Sequence, residues 1–240
     1  MDLTKYTKAA RNALKLRRCG AVIVAAGSAS RMGGIDKVMA PLRGEPMIVH
    51  TVRTFQNCDA IREIVVVTRP DLVQPIMDLC AGFDKVRAVV VGGSSRQESV
   101  WQGLNALSDQ MELAAIQDGA RPLITWQVID RVVRAANSYA AAIPAIPVKD
   151  TIKIVPDGLV AATPDRSKLR AVQTPQVFDL DLLRTALHHA DETGAEVTDD
   201  CSAVELLGMK VKVVEGDERN LKVTTPFDLR IAEMLMEEMK

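Results

Sequence analysis

The stretch VIVAAGSASRMGGIDK, residues 22–37, begins as an apolar, β-branched run and ends in a loop of small residues. The run is typical of a buried strand. The loop contains three glycines and the cations Arg31 and Lys37, so its backbone amides can approach phosphate oxygens closely while the side chains add positive charge. We therefore expect a strand that presents an anion-binding loop suited to a nucleoside triphosphate.

Similar apolar runs recur along the chain with amphipathic stretches between them, an alternation that predicts an α/β fold. Runs without polar alternation are buried on both faces, so the sheet should be mostly parallel, Rossmann-like and flanked by helices. Predicted strands cover residues 20–26, 63–68, 86–93, 113–118, 140–146 and 210–215. Predicted helices cover residues 46–57, 71–81, 96–108, 125–138, 179–192 and 199–207.

The pattern changes after Pro147, where short apolar segments are framed by prolines and no helical pattern separates them. We interpret residues of about 145–170 as a β-arm inserted into the sheet domain. The apolar edges of a projecting hairpin need a cover, and a second copy of the chain would provide one. The sequence therefore predicts a homodimer formed through the arm.

The overall composition limits the function classes. The 240-residue chain has 48% hydrophobic and 25% charged residues, which is ordinary for a globular protein. We expect one domain over residues 19–240, preceded by a basic extension, residues 1–18, that lacks the apolar stretch of a secretory signal. A formal net charge of −1 argues against binding to nucleic acid or membranes, and no apolar window reaches the roughly 18 residues of a membrane span.

The four cysteines are widely spaced and form no CxxC pair: Cys19, Cys58, Cys80 and Cys201. This spacing indicates neither a zinc knuckle nor a disulfide scaffold, and it favours a cytoplasmic location. The histidines lie within predicted helices and are interpreted as surface or packing residues. We find no Ser/His/Asp or Cys/His set that would indicate covalent catalysis.

Two later predicted strands are also followed by segments whose residues could bind an anion or a metal ion. GGSSRQESV, residues 92–100, follows the third predicted strand, and QDGARP, residues 117–122, follows the fourth. The first can bind an anion at a helix start or be an ordinary N-cap. In the second, Asp118 can hold Mg²⁺ at the edge of the sheet or cap a turn. No GxxxxGK[ST] or GxGxxG motif is present, which disfavours a P-loop ATPase and a dinucleotide dehydrogenase.

Further candidates are polar or cationic side chains in three later segments: Arg166, Thr174, Thr198, Asp199 and Lys222. Each taken alone is more often a solvated cation or a helix cap. Their order along the chain, taken together, is what makes them informative about function.

The chain resembles the 2-C-methyl-D-erythritol 4-phosphate cytidylyltransferases, enzymes of the isoprenoid pathway in bacteria and plastids, over roughly residues 20–238. The resemblance rests on segments in family order: AAGSASRMGG…K, GGSSRQESV, DGARP, VKDTIK, DR…QTPQ, TDDCSAVE and GDERNLKVTTP. The first segment alone would indicate only the wider nucleotidyltransferase superfamily. Many relatives have Pro-Lys-Gln where this chain has Asp36-Lys37-Val38, and alanine is common at the position of Gly119.

The resemblance implies a role for each matching position. The CTP site would comprise Ala25, Ala26, Gly27, Ser28, Arg31, Lys37, Gly92, Gly93, Ser99, Asp118 and Gly119. The site for the polyol phosphate would comprise Arg166, Thr174, Thr198 and Lys222. Arg31, Lys37, Arg166 and Lys222 would be catalytic, and Asp118 would bind Mg²⁺. The resemblance also implies that Arg166, on an arm exchanged between subunits, serves the neighbouring active site, and that the enzyme is cytoplasmic or, in plastids, stromal.

The reaction implied is attack by a phosphate oxygen of methylerythritol phosphate on the α-phosphorus of CTP. The attacking phosphate is already anionic, so no general base is needed; positioning and charge neutralisation suffice. Two other functions remain open: cytidylyl transfer to ribitol 5-phosphate or another polyol phosphate, and a non-catalytic module that senses CTP. The full set of cations argues against a mere sensor.

Overall fold

The structure, a computed structural model, describes residues 16–27 and 37–238. Its strands are β1 (Cys19–Val24), β2 (Pro41–Leu42), β3 (Glu45–Pro46), β4 (Ile61–Thr68), β5 (Val86–Val91), β6 (Leu113–Asp118), β7 (Ala141–Pro147), β8 (Arg170–Val172), β9 (Gln176–Asp179) and β10 (Lys212–Glu215). Its helices are α1 (Met47–Gln56), α2 (Val73–Leu79), α3 (Arg96–Ala106), α4 (Trp126–Tyr139), α5 (Leu180–Thr193), α6 (Asp200–Leu206) and α7 (Pro226–Glu238).

The main sheet has the strand order β10-β7-β9-β6-β1-β4-β5, with β8 paired to β7, and β2 and β3 form a separate small hairpin. The pairs β1–β4, β1–β6, β4–β5 and β7–β10 are parallel. Strand β1 pairs with β4 on one side and with β6 on the other. This reversal of strand order places a crevice at the carboxyl end of β1, where ligands of open α/β sheets bind. The predicted α/β fold with a mostly parallel sheet is confirmed.

The central strand β1 is buried on both faces, which explains its continuous apolar sequence. Ala21 and Ile23 pack on one side with α1, α2 and α4. Val22, between them, packs on the other side with α3, α5 and α6. A strand with alternating polar residues could not occupy this position, because every second side chain would lose its water.

Two strands depart from the simplest reading of the sequence. The apolar run that contains β5 forms an edge strand, and Val91 at its end is exposed. β9 runs antiparallel between β6 and β7. β7 pairs with β9 at Ala141 and Ala142 and with β8 from Ala145 to Pro147, so its internal proline, Pro144, lies where the chain changes partners. A proline has no N–H to donate, so it is tolerated at a position where the sheet needs no hydrogen bond from that N–H.

The segment between β7 and β8 projects with little regular structure. It contains one isolated bridge, Ile154 to Ala162, and short 3-10 turns at Pro156–Gly158 and Arg166–Lys168. Short strands or extended segments are expected here, and the structure shows mostly extended chain. Leu159 and Val160 are 75% and 63% exposed, so the projecting segment carries apolar side chains into solvent. Among the helices that the structure describes, none combines the length and apolar character needed to cross a bilayer.

Candidate active site

A cavity of about 420 Å³ lies at the crevice beyond the carboxyl end of β1. Its walls come from the segments that follow β1, β5 and β6, together with the stretch that leads into α7. The lining residues are Val24, Ala25, Ala26, Gly27, Lys37, Val38, Gly93, Ser94, Ser95, Arg96, Ser99, Asp118, Ala120 and Lys222. Four separate sequence motifs thus meet in one place, three of them at the carboxyl ends of strands, as the parallel sheet predicts.

The turn between β5 and α3 is shaped by its own serines. Ser95 is the N-cap of α3, and its side chain accepts a hydrogen bond from the N–H of Glu98 at 3.0 Å. Ser99 donates its hydroxyl to the carbonyl of Ser95 at 2.8 Å and accepts the N–H of Gly93 at 3.1 Å. The expected N-cap is therefore present, and it also forms a wall of the cavity. A Cβ at Gly92 would lie 2.6 Å from the Cβ of Ala26, so only glycine lets the two loops meet.

Asp118 is the acidic centre of the cavity. Asp118 is 8% exposed, and within the described residues three cations surround its carboxylate. Lys222 Nζ is 2.9 Å from Oδ2, Arg121 Nε is 3.5 Å from Oδ2, and Arg96 Nε is 3.9 Å from Oδ1. Burial alone would raise the pKa of Asp118, but Lys222, Arg96 and Arg121 outweigh it and lower that pKa. Asp118 is therefore a carboxylate at neutral pH.

Arg96 connects this centre to the other side of the cavity. Its Nη1 and Nη2 donate to Oδ1 and Oδ2 of Asp200 at 3.0 and 2.7 Å. This contact is bidentate, and the side chain of Asp200 is fully buried. Burial disfavours the guanidinium charge, but Asp200 more than compensates and raises the pKa of Arg96. The fork joins the start of α3 to the start of α6.

These features agree with the comparisons with known proteins. The model of the family "2-C-methyl-D-erythritol 4-phosphate cytidylyltransferase" matches residues 19–238. The chain belongs to this family. A cytidylyltransferase of that name from Symbiobacterium thermophilum is 48% identical over 219 residues, 90% of this chain and 92% of the relative.

Solved cytidylyltransferases share the fold as well. A 4-diphosphocytidyl-2C-methyl-D-erythritol synthase from Anaerococcus prevotii has a TM-score of 0.84 at 32% identity, covering 92% of this chain and 96% of that one. A 2-C-methyl-D-erythritol 4-phosphate cytidylyltransferase from Thermus thermophilus has a TM-score of 0.76 at 31% identity, covering 90% and 98%. The match extends over nearly the whole of each chain.

The structure brings together many of the residues that the sequence suggests for a cytidylyltransferase. Ala25, Ala26, Gly27, Lys37, Gly93, Ser99, Asp118 and Lys222 all line the cavity. Gly92 is next to the lining residue Gly93 but does not itself line the cavity, and Gly119 joins β1 to β6 by donating its N–H to the carbonyl of Val24 at 2.8 Å. A Cβ at Gly119 would lie 3.1 Å from that carbonyl oxygen. Ser28 and Arg31 are outside the described residues.

The residues suggested for the second substrate are more dispersed. Thr174 is buried, and its hydroxyl accepts the N–H of Asp118 at 3.1 Å. Thr198 is exposed just before the start of α6. Arg166 is on the projecting segment, outside the cavity lining, and donates to the carbonyl of Lys149 at 2.6 Å. Of this group, only Lys222 lines the cavity of the single chain.

Sequence reasoning did not select Arg96, Arg121 or Asp200 as site residues. Arg96 was visible as a cation at a predicted helix start, which is a signal for anion binding. Arg121 and Asp200 gave no such signal. Arg121 is near Asp118 in sequence but also donates to the carbonyl of Asn220, 99 positions later, and Asp200 pairs with a residue 104 positions earlier. Asp199, a candidate of the TDD segment, is the N-cap of α6 and accepts from the N–H of Ser202 at 2.9 Å.

Proposed function

We propose that this enzyme transfers the cytidylyl group of CTP to 2-C-methyl-D-erythritol 4-phosphate, giving 4-diphosphocytidyl-2-C-methyl-D-erythritol and pyrophosphate. The observation that carries the proposal is the cavity at the end of β1, lined by Lys37, Arg96 and Lys222, in a chain that matches the cytidylyltransferase family over residues 19–238. Cations in a crevice of this kind suit a reaction between two phosphorylated substrates.

The chemistry needs alignment more than acid–base catalysis. A phosphate oxygen of the polyol phosphate forms a bond to the α-phosphorus of CTP, and the bond from that phosphorus to the bridging oxygen of pyrophosphate breaks. The nucleophile is already an anion, so no proton has to be removed. The enzyme must hold two anions close together and neutralise the charge that develops between them.

For the nucleotide half of the site, we assign the loop that follows β1 to the triphosphate. The backbone of Ala25–Gly27, continuing through Ser28, would lie along the phosphate oxygens, and Arg31 and Lys37 would neutralise charge at the α-phosphate. Gly92, Gly93 and Ser99, in the turn before α3, would recognise the cytosine base. The hydrogen bond from the Gly93 N–H to the Ser99 Oγ fixes the geometry of this turn, so the base would meet a preformed surface.

For the polyol phosphate half, we assign Lys222, Thr174, Thr198 and Arg166. Lys222 already faces the cavity, while Arg166 lies on the projecting arm. We therefore propose a homodimer in which the arm, about residues 145–170 of the domain 19–240, crosses to a second copy and supplies Arg166 to that copy's site. Exposed Leu159 and Val160 on the arm support this assembly, because their apolar surface would be covered.

We propose Mg²⁺ as the cofactor and Asp118 as its protein ligand. In nucleotide sites Mg²⁺ is held by one or two carboxylates together with phosphate oxygens and water. Within the described residues, no group of three or more His, Cys, Asp or Glu side chains could hold a metal, so Asp118 fits only if the triphosphate supplies further ligands. The ion would offset negative charge on the phosphates when bound.

A cytoplasmic location completes the proposal. The relatives of the comparison come from bacteria, and Cys19, Cys58, Cys80 and Cys201 are buried free thiols, as expected in a reducing compartment.

Release of pyrophosphate tests the function directly. The purified enzyme would be given CTP with 2-C-methyl-D-erythritol 4-phosphate, with ribitol 5-phosphate, or with no acceptor, each with and without Mg²⁺. We expect release that requires Mg²⁺ and is fastest with methylerythritol phosphate. Faster release with ribitol 5-phosphate would assign a different acceptor, and CTP binding without any release would indicate a nucleotide sensor.

A further inference from the structure

The QTPQ segment, residues 173–176, contains two glutamines to which the proposed reaction gives no role. Gln173 and Gln176 flank the cis peptide bond between Thr174 and Pro175, and they are 5% and 2% exposed. A buried amide is retained in a core only when its hydrogen bonds are satisfied. The partners of these two amides lie on the two segments that deliver charged groups to the cavity.

Gln173 fixes the turn that precedes Lys222. Its Nε2 donates to the carbonyl of Asp217 at 2.8 Å, and its Oε1 accepts the N–H of the same residue at 3.2 Å. One side-chain amide thus pairs with both backbone groups of Asp217, as a neighbouring strand would. Asn220 strengthens the contact, since its Nδ2 donates to the carbonyl of Thr174 at 2.9 Å. Two residues further along, Lys222 reaches the carboxylate of the cavity.

The fit around Gln173 is close enough to depend on a neighbouring glycine. A Cβ at Gly216 would lie 2.5 Å from the Oε1 of Gln173. Glycine at position 216 therefore lets the amide of Gln173 approach the turn in its present rotamer.

Gln176 fixes the start of α6 in the same manner. Its Nε2 donates to the Oδ2 of Asp199 at 2.7 Å, and its Oε1 accepts the N–H of Cys201 at 2.9 Å. Both bonds are to the first turn of the helix, on either side of Asp200. Asp200 in turn holds Arg96 with its two carboxylate oxygens. The chain of contacts therefore runs from Gln176 through α6 to the cation at the cavity wall.

We propose that Gln173 and Gln176 are positioning residues that set the two sides of the active site from a single turn: Gln173 places Lys222, and Gln176 places Arg96. This inference rests on the proposed function, because it assigns these cations to the reaction of the cavity. Neither glutamine touches a substrate. Each acts through a backbone segment that it holds.

Double-mutant cycles separate this role from a general structural one. Gln173→Met removes both amide bonds with little change of volume, and we expect kcat/KM to fall by about 10- to 100-fold, the effect of a small misplacement of a reacting group. In a Lys222→Met background the same change should have an effect of less than about twofold, since its target is already absent. Gln176→Met should likewise lose its effect in an Asp200→Asn background.

The crossed combinations and a surface substitution are the controls. Gln173→Met combined with Asp200→Asn should show multiplied losses, because these changes act on different sides of the cavity. Gln74→Met, on the exposed surface of α2, should leave both activity and Tm unchanged. If Gln173→Met and Gln176→Met lowered kcat/KM by the same factor in every background, the two glutamines would only stabilise the fold and the proposal would be wrong.

Crystal structures of the two variants give a readout that does not depend on activity. In Gln173→Met, residues 217–220 should shift and Lys222 Nζ should leave the carboxylate of Asp118, from which it is 2.9 Å in the wild type, while α6 stays in place. In Gln176→Met, α6 should shift instead. An unmoved lysine in the first variant would overturn the inference, whereas a wild-type enzyme that releases no pyrophosphate would count against the proposed function alone.

Should either methionine variant fail to fold, Gln173→Asn and Gln176→Asn replace it. Each keeps an amide in the buried site and adds no charge, but is one methylene too short to make both bonds. The same displacement and the same dependence on the background are expected, in a smaller degree.

Discussion

At the scale of single residues, the site depends on an uneven balance of charge. Within the described residues around Asp118, the cations Lys37, Arg96, Arg121 and Lys222 face three carboxylates, Asp118, Asp199 and Asp200. The net charge of this group is positive. It lies in a crevice that is partly shielded from solvent, where electrostatic attraction is stronger than in water. A cavity of this charge attracts anions, and the carboxylates keep the cations oriented until the anions arrive.

Lys37→Ala and Arg31→Ala should separately lower kcat by about 10²- to 10³-fold, as expected when a group that stabilises transition-state charge is removed. The Tm should remain close to that of the wild type, because Lys37 lies in a turn outside the buried core and the sequence predicts a loop at Arg31. Lys210→Ala, an exposed lysine before β10, is the matched control and should be fully active. Near-normal turnover in both loop variants would show that these cations do not serve the reaction.

At the scale of secondary-structure elements, side-chain caps at the starts of helices stabilise the local structure. α7 begins with a reciprocal cap: Thr225 Oγ1 accepts the N–H of Asp228 at 3.2 Å, and the Asp228 carboxylate accepts the N–H groups of Thr224 and Thr225 at 2.8 Å. Burial opposes ionisation of Asp228, but the bonds from Thr224 and Thr225 outweigh burial and lower its pKa. The cap therefore contributes more stability when Asp228 is charged.

Asp228→Asn should lower the free energy of unfolding by about 1 kcal/mol at pH 7. A lowered pKa in the folded state stabilises the fold above the ordinary pKa of 3.8, and this contribution is lost as the pH falls through the folded-state value. The difference between wild type and variant should therefore be constant from pH 7 to about pH 5 and shrink below about pH 4. Urea unfolding across this range measures it, and a difference that grows toward acid pH would contradict the assignment.

Gly103→Ala tests the packing of α3 on the sheet. A Cβ at position 103 would lie 2.2 Å from Cγ1 of Val22 and 2.9 Å from Cγ2 of Val67. Alanine favours a helix over glycine by about 1 kcal/mol, but displacing α3 from the strands should cost about 1–3 kcal/mol. We therefore expect a net loss in the free energy of unfolding, measured by urea denaturation. The control Asn105→Ala, on the exposed face of the same helix, should be neutral or slightly stabilising; equal stabilisation by both changes would refute the close packing.

At the scale of the whole molecule, the sequence predicted the sheet well because burial on both faces leaves a continuous apolar signal, as in β1. It predicted the cavity loops because parallel strands end at one edge, so that Lys37 and Asp118 were expected to line one cavity, as they do. It could not predict the fork between Arg96 and Asp200 or the bonds of Gln173, since side chains that meet from distant segments leave no local pattern. The antiparallel pairing of β9 with β6 and β7 was not predicted either, because its partner strands are distant in sequence.

The proposed assembly is testable through the arm. Leu159→Asp combined with Val160→Asp should place charge on apolar surface that a second copy would cover, and should convert a dimer into a monomer with reduced activity. Arg166→Ala should lose activity while remaining dimeric. Light scattering with chromatography measures the mass of each variant. A wild type that is monomeric at working concentration and fully active would contradict exchange of the arm.

The central claim is that the loop after β1 and the cations around the cavity receive the triphosphate of CTP. The most direct measurement is a crystal structure with CTP and Mg²⁺ bound. We predict density for the triphosphate along residues 25–37, with the metal on Asp118 and cytosine against the turn of Gly92 and Gly93. A nucleotide bound elsewhere, with this cavity left empty, would contradict the account.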